Sequence, residues 1–150
     1  MTTAFTIISG GQTGADRAGL DFAIEHKIPH GGWCPKGRKA LDGPLDPKYL
    51  LNETPASSYL QRTQWNVRDS DATIVFTMAA EVTGGSLKTI EFARKHKKPW
   101  LHAHKGTADD EIRSFLDTHR PKLLNIAGSR EEKEPGIRAW VMGVLRAVVL

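Results

Sequence analysis

What most narrows the fold of this chain is a unit that occurs twice: a short apolar run, a glycine-rich turn, then a stretch with helical spacing. Phe5-Thr6-Ile7-Ile8 leads into Ser9-Gly10-Gly11-Gln12-Thr13-Gly14, and Ala72-Thr73-Ile74-Val75-Phe76 is followed by Thr83-Gly84-Gly85-Ser86. Apolar runs of strand length that alternate with helices fit a parallel sheet covered on both faces, because each crossover helix buries part of one side. The remaining segments keep this alternation. The expected fold is α/β: a three-layer αβα, Rossmann-like domain with a mostly parallel central sheet, occupying residues 1–150 as a single ligand-binding unit.

Local signals place the elements. A helix is expected from near Ala15 to about Lys27, stopped by Pro29, and another begins at Ser57-Ser58 and runs past Trp65 and Val67 towards Ser70. From Gly31 to Pro55 the chain is rich in Gly, Pro, Asp and Lys, which predicts a long irregular segment with at most a short strand at Gly32-Trp33-Cys34. The second glycine turn should open a helix through Leu87, Ile90 and Phe92 that ends before Pro99. Then come a strand at Trp100-Leu101-His102-Ala103, a helix over 108–119, a strand over 122–127 and a last helix from Pro135-Gly136. That helix carries Ile137, Val141, Val144, Leu145 and Val148 on one face.

Composition excludes several classes. With 39% hydrophobic and 25% charged residues the chain is of ordinary globular type, and no apolar run approaches the roughly 20 residues of a membrane helix. Neither a membrane partner nor a secretory leader is expected, and the localisation read from the sequence is cytoplasmic. Cys34 is the only cysteine, so an internal disulfide and a four-thiolate zinc site within one chain are both impossible. A net charge of +4 favours anionic ligands, but the cations are spread along the chain and the run Arg94-Lys95-His96-Lys97-Lys98 suits a helix end. No nucleic-acid partner is expected.

The glycine turns carry the functional expectation. A strand-to-helix turn aims backbone N–H groups and a positive helix end at one point, where a phosphate or another oxyanion can sit. Gly10, Gly11 and Gly14 would allow close backbone approach, with Gln12 and Thr13 as side-chain donors. A Cβ at Gly11 is expected to harm ligand binding more than stability. Asp16 could cap the turn's amides or meet a ribose hydroxyl or metal. Gly84, Gly85, Ser86 and Thr89 would form an opposing turn, and Asn125 stands on the last strand, either in the ligand crevice or only at the following cap. In the middle loop, Trp33 offers a flat aromatic face or is an ordinary core aromatic, and Lys36 and Arg38 offer charge. Cys34 is a soft metal ligand or a small buried hydrophobe. His102 and His104 point to one side of a strand but lack a third ligand. Glu91 is either an exposed partner of Lys88 or Lys95, or a functional carboxylate.

Two family resemblances bear on these residues. The stretch from Arg62 to Glu91 is similar to the LOG-type phosphoribohydrolases, which implies catalytic roles for Arg62 and Glu91 in cleaving the N-glycosidic bond of a nucleoside monophosphate. Thr83 stands where that pattern has proline, and Leu87-Lys88 where it has Gly-Thr. A broader resemblance runs through the segments 9–17, 30–38, 53–55, 61–63, 66–71, 83–85 and 124–128. In these the chain resembles the molybdenum-cofactor carrier family, similar in fold to the LOG-type proteins. That resemblance implies a binding protein for a small anionic, nucleotide- or pterin-like ligand, with molybdopterin as the carried cofactor and no catalytic cofactor or metal. Arg62 would then help to shape the ligand space, and a homo-oligomer is expected. A hydrolase and a nucleotide-ligand sensor are the alternatives.

Overall fold

A computed structural model describes residues 5–150. The elements run β1 (Thr6–Ile8), α1 (Ala15–Glu25), β2 (His30–Gly31), β3 (Trp33–Cys34), β4 (Asn52–Glu53), α2 (Tyr59–Asp69), β5 (Ala72–Phe76), α3 (Gly84–Lys95), β6 (Trp100–Ala103), α4 (Asp109–His119), β7 (Leu123–Gly128) and α5 (Ile137–Val149). Five strands form one sheet in the order β2-β1-β7-β5-β6 with every pairing parallel, and β3 and β4 form a separate parallel pair. This is the expected three-layer α/β architecture. The last strand, β7, lies at the centre, between β1 and β5.

Register divides the sheet into two unlike faces. Ile7 pairs with Leu124, Ala72 with Leu124 and Ile74 with Ile126, and these join Phe22 of α1, Ile112 and Leu116 of α4, and Val141 and Leu145 of α5 in one apolar core. Each large side chain buried there stabilises the fold by roughly 1.5–3 kcal/mol. The alternate residues, Ile8, Asn125 and Thr73, are paired across β1, β7 and β5 on the other face. That face lies beneath α2 and α3, whose buried residues include Arg62, Asn66, Ser86 and Thr89. Polar groups concentrate on this second side.

Helices α1 and α3 each end at the fourth residue before a proline, and for the same reason. Lys27 and Lys97 take left-handed φ values of 56° and 55°. Ile28 and Lys98 then donate their N–H groups to the carbonyls of Ala23 and Ala93, at 2.8 and 2.9 Å, which closes both helices with a Schellman motif before the proline. The segment over 35–51 has no strand or helix but is ordered around Arg38. Its guanidinium donates to the carbonyls of Leu45, Asp46, Tyr49 and Leu51. Leu20, Cys34, Ala40, Leu45, Tyr49 and Leu51 form a small second core under it.

Candidate functional site

An open cleft of about 170 Å³ lies where β1, β7 and β5 deliver their carboxyl ends. Gly10, Gln12 and Asp16 reach it from the first turn and α1, Arg62 and Asn66 from α2, Gly85, Ser86, Lys88 and Thr89 from α3, and Asn125, Ser129, Arg130 and Lys133 from β7 and the loop after it. The two glycine turns therefore converge, but they differ in what their amides do.

The first turn is filled in large part by the chain itself, although among the described residues the N–H groups of Gly10 and Gly14 have no partner in the chain. The Gly11 N–H donates to Ser9 Oγ (3.3 Å), Gln12 N–H to the Asp16 carboxylate (3.4 Å), Thr13 N–H to Gln12 Oε1 (2.9 Å) and Ala15 N–H to the Ser129 carbonyl (3.0 Å). Arg17 takes the Gly11 carbonyl through two guanidinium N–H groups. The Thr13 hydroxyl donates to Glu132 and accepts from the Glu131 N–H. Of the expected set Gly10 to Gly14, Gly10 and Gln12 line the cleft, whereas Gly11, Thr13 and Gly14 do not. A Cβ at Gly11, whose φ is 78°, would fall 2.8 Å from Leu45 Cδ1, so a side chain there would press on the small core.

Asp16 occupies the place an anion would take at the α1 N-terminus. Arg62 Nη1 donates to it at 2.7 Å, and both side chains are 9% exposed. Arg62 reaches across Gly10, where a Cβ would lie 2.4 Å from Arg62 Cδ, so the absent side chain at position 10 is what lets the guanidinium through. Burial pushes the Asp16 carboxyl above its ordinary range, and Arg62 pulls against that shift. The pair leaves no free carboxylate in the cleft.

The second turn is open. Thr83 precedes α3 without a side-chain cap, and among the described residues the N–H groups of Gly85 and Ser86 have no partner in the chain. The Ser86 side chain is buried, lines the cleft and makes no hydrogen bond among the described residues. Thr89 Oγ1 donates back to the Gly85 carbonyl (3.0 Å), and Asn125 Nδ2 donates to Thr73 Oγ1 (3.2 Å). Around this helix end stand Lys88, Arg130 and Lys133, and the Lys133 ammonium donates to Thr83 Oγ1 at 2.8 Å.

Several expected residues lie elsewhere. Trp33 packs edge-on against Trp65 and donates its indole N–H to Asp69 at 2.9 Å, away from the cleft lining. Lys36 is exposed outside the cleft, and Arg38 is spent on loop carbonyls. Cys34 is fully buried in the second core, with burial pushing its thiol up. Gly84 does not line the cleft. Glu91 is exposed and pairs with Lys88 at 3.6 Å, outside the lining. His102 meets the Thr77 hydroxyl, and His104 accepts from the Gly106 N–H. Among the described residues no three His, Cys, Asp or Glu side chains are grouped to hold a metal. Sequence reasoning missed Lys133 and the cleft role of Lys88. The run Arg130-Glu131-Glu132-Lys133 offered no local signal, since its position beside α3 comes from the central placement of β7.

These features define a class: an α/β domain with a cationic ligand crevice at the carboxyl ends of a parallel sheet, at the point where the strand order reverses. The model of the circularly permutated YpsA SLOG family matches residues 7–149, and the chain belongs to that family. A doubly wound sheet ordinarily places its first strand centrally; here the last strand holds that position, as a circular permutation would leave it. A solved structure from Syntrophus aciditrophicus SB, named "Putative molybdenum carrier protein", is similar at 44% identity and a TM-score of 0.93, over 98% of this chain and 96% of that one. No curated protein matches the chain. No helix among the described residues is long and apolar enough to cross a membrane.

Proposed function

We propose that this chain is a binding protein for a phosphate-bearing, nucleotide-like ligand, and that the cargo suggested by its structural relative is the molybdenum cofactor, held by its phosphate end. The observation that carries this reading is the charge of the cleft. Lys88, Arg130 and Lys133 line it together with Arg62, and the one carboxylate present, Asp16, is already neutralised by Arg62. A phosphate would meet cations, the free amides of Gly85 and Ser86 and the unpartnered Ser86 hydroxyl, with no acid opposing it. The volume is below the roughly 300–1,000 Å³ of sites that enclose a drug-sized ligand, which suits a ligand that the open cleft encloses only in part.

Two further points favour carriage through phosphate. Cys34 is sealed in the loop core, so its thiol is not presented to molybdenum. A glycosidic-bond hydrolase needs a carboxylate near the sugar, whereas Glu91 faces solvent beside Lys88. The test is titration calorimetry with inorganic phosphate and GMP on the whole chain. Arg130→Ala combined with Lys133→Ala should weaken both by at least about tenfold, with a smaller difference at high salt because exposed charge is screened. If the wild type binds neither probe, the reading is wrong; release of free base from AMP that disappears in Glu91→Ala would replace it with the hydrolase.

A further inference from the structure

Among the described residues, six large hydrophobic side chains are exposed, and two of them, Leu41 (50%) and Leu60 (51%), line the cleft. A single exposed leucine needs no explanation, but two from separate segments meeting in one concave site present apolar surface that an occupant could cover. Both backbones are pinned. Leu41 donates its N–H to Gln12 Oε1 at 2.9 Å, the same oxygen that receives the Thr13 N–H, so the first glycine turn holds the 35–51 loop in place. Leu60 donates its N–H to Ser58 Oγ at the start of α2.

The neighbouring aromatic is already engaged. Tyr59 lines the cleft, but Lys39 Nζ lies 4.4 Å and the Arg62 guanidinium 5.2 Å from its ring centre. The leucines therefore supply the free apolar surface. They enter from the 35–51 loop and α2, whereas Lys88, Arg130 and Lys133 enter from α3 and the loop after β7. One cleft thus joins two chemistries brought by different elements.

Resting on the anion-binding reading above, we infer that Leu41 and Leu60 seat the uncharged flat heteroaromatic ring of that ligand while its phosphate lies among the cations. Gln12 is then a positioning residue, acting through Leu41. Trp33, the aromatic that the sequence offered for this task, takes no part.

The experiment compares GMP, whose guanine contains the aminopyrimidinone ring also present in pterins, with ribose 5-phosphate, which has the same phosphate and no ring. The wild type should bind GMP at least about tenfold more tightly, the scale of partial burial of two leucines. In the double variant Leu41→Ser and Leu60→Ser the ratio of the two affinities should fall to within about twofold of one, while Leu41→Met with Leu60→Met should keep it. Both positions are half exposed, so the fold should tolerate the changes with little shift in the thermal unfolding midpoint. Equal affinity for the two probes in the wild type would overturn the ring seat and leave the anion site standing, as would a ratio that survives the serine variant. Failure of both probes to bind would remove the anion site and this inference with it.

Discussion

The two glycine turns are alike in sequence but differ in how far the chain itself fills them. Both join a buried strand to a helix N-terminus, and both reach the same cleft through Gly10 and Gly85. In the first, Ser9, Asp16, Gln12 and Ser129 accept from the amides of Gly11, Gln12, Thr13 and Ala15, and the buried carboxylate of Asp16 takes the position of an anion. In the second, no side chain caps the helix, and amides and a serine hydroxyl remain free. A glycine-rich strand-to-helix turn thus specifies an anion-compatible shape, while the nearby side chains decide whether the anion comes from the protein or from outside.

The sharpest way to break this contrast is to remove the cation that neutralises the internal anion. Arg62→Met should cost about 3–5 kcal/mol at neutral pH, because it leaves Asp16 buried and unpaired; urea unfolding measures it. The pH dependence has a definite sign. Burial raises the folded Asp16 value above that of the unfolded chain, so the stability this group contributes is complete in acid, below the ordinary carboxylate range, and is lost as pH rises through the raised folded value. Without Arg62 the raise grows, and the loss with pH should be steeper in the variant than in the wild type. An unchanged slope would mean that the pair does not couple the turn to α2.

Smaller substitutions sharpen the same comparison. Gly11→Val should destabilise by roughly 2–3 kcal/mol, since a side chain there meets Leu45 at a left-handed φ. Gly85→Ala, where an added Cβ meets nothing within 4 Å, should change stability by less than about 1 kcal/mol. Thermal unfolding of the two variants side by side would show the turns to be equivalent if the shifts matched. The smallest effect belongs to Glu91→Gln. Its pair with Lys88 is exposed, so stability should move by no more than about 0.5 kcal/mol and GMP affinity by less than about twofold. A large loss of affinity would bring that carboxylate back into the site.

Much of the architecture was legible along the chain. The alternation of apolar runs and helical spacing placed β1, β5, β6 and β7 and all five helices, because strand and helix periodicities are carried by neighbouring residues. Ser86, Thr89, Arg62, Asp16 and Asn125 were singled out from the turns and from family resemblance, and all line the cleft. Trp33 and Lys36 lie outside the cleft lining, which was not legible beforehand because Gly/Pro-rich sequence says where a loop occurs, not which way it folds. Here Arg38 and the small core around Leu45 draw the loop so that Leu41 turns towards the cleft and Lys36 outward.

The amino-acid order by itself determined the α/β class, the two glycine turns and the surplus of positive charge, all of which depend on local pattern or simple counting. Only the tertiary structure decided that β7 enters the middle of the sheet, that Arg62 crosses Gly10 to Asp16, and that Arg130 and Lys133 stand beside the α3 N-terminus. Those pairings join residues far apart along the chain. They are selected by how completely strands, helices and buried charges satisfy one another at once, a condition that no stretch of sequence carries alone.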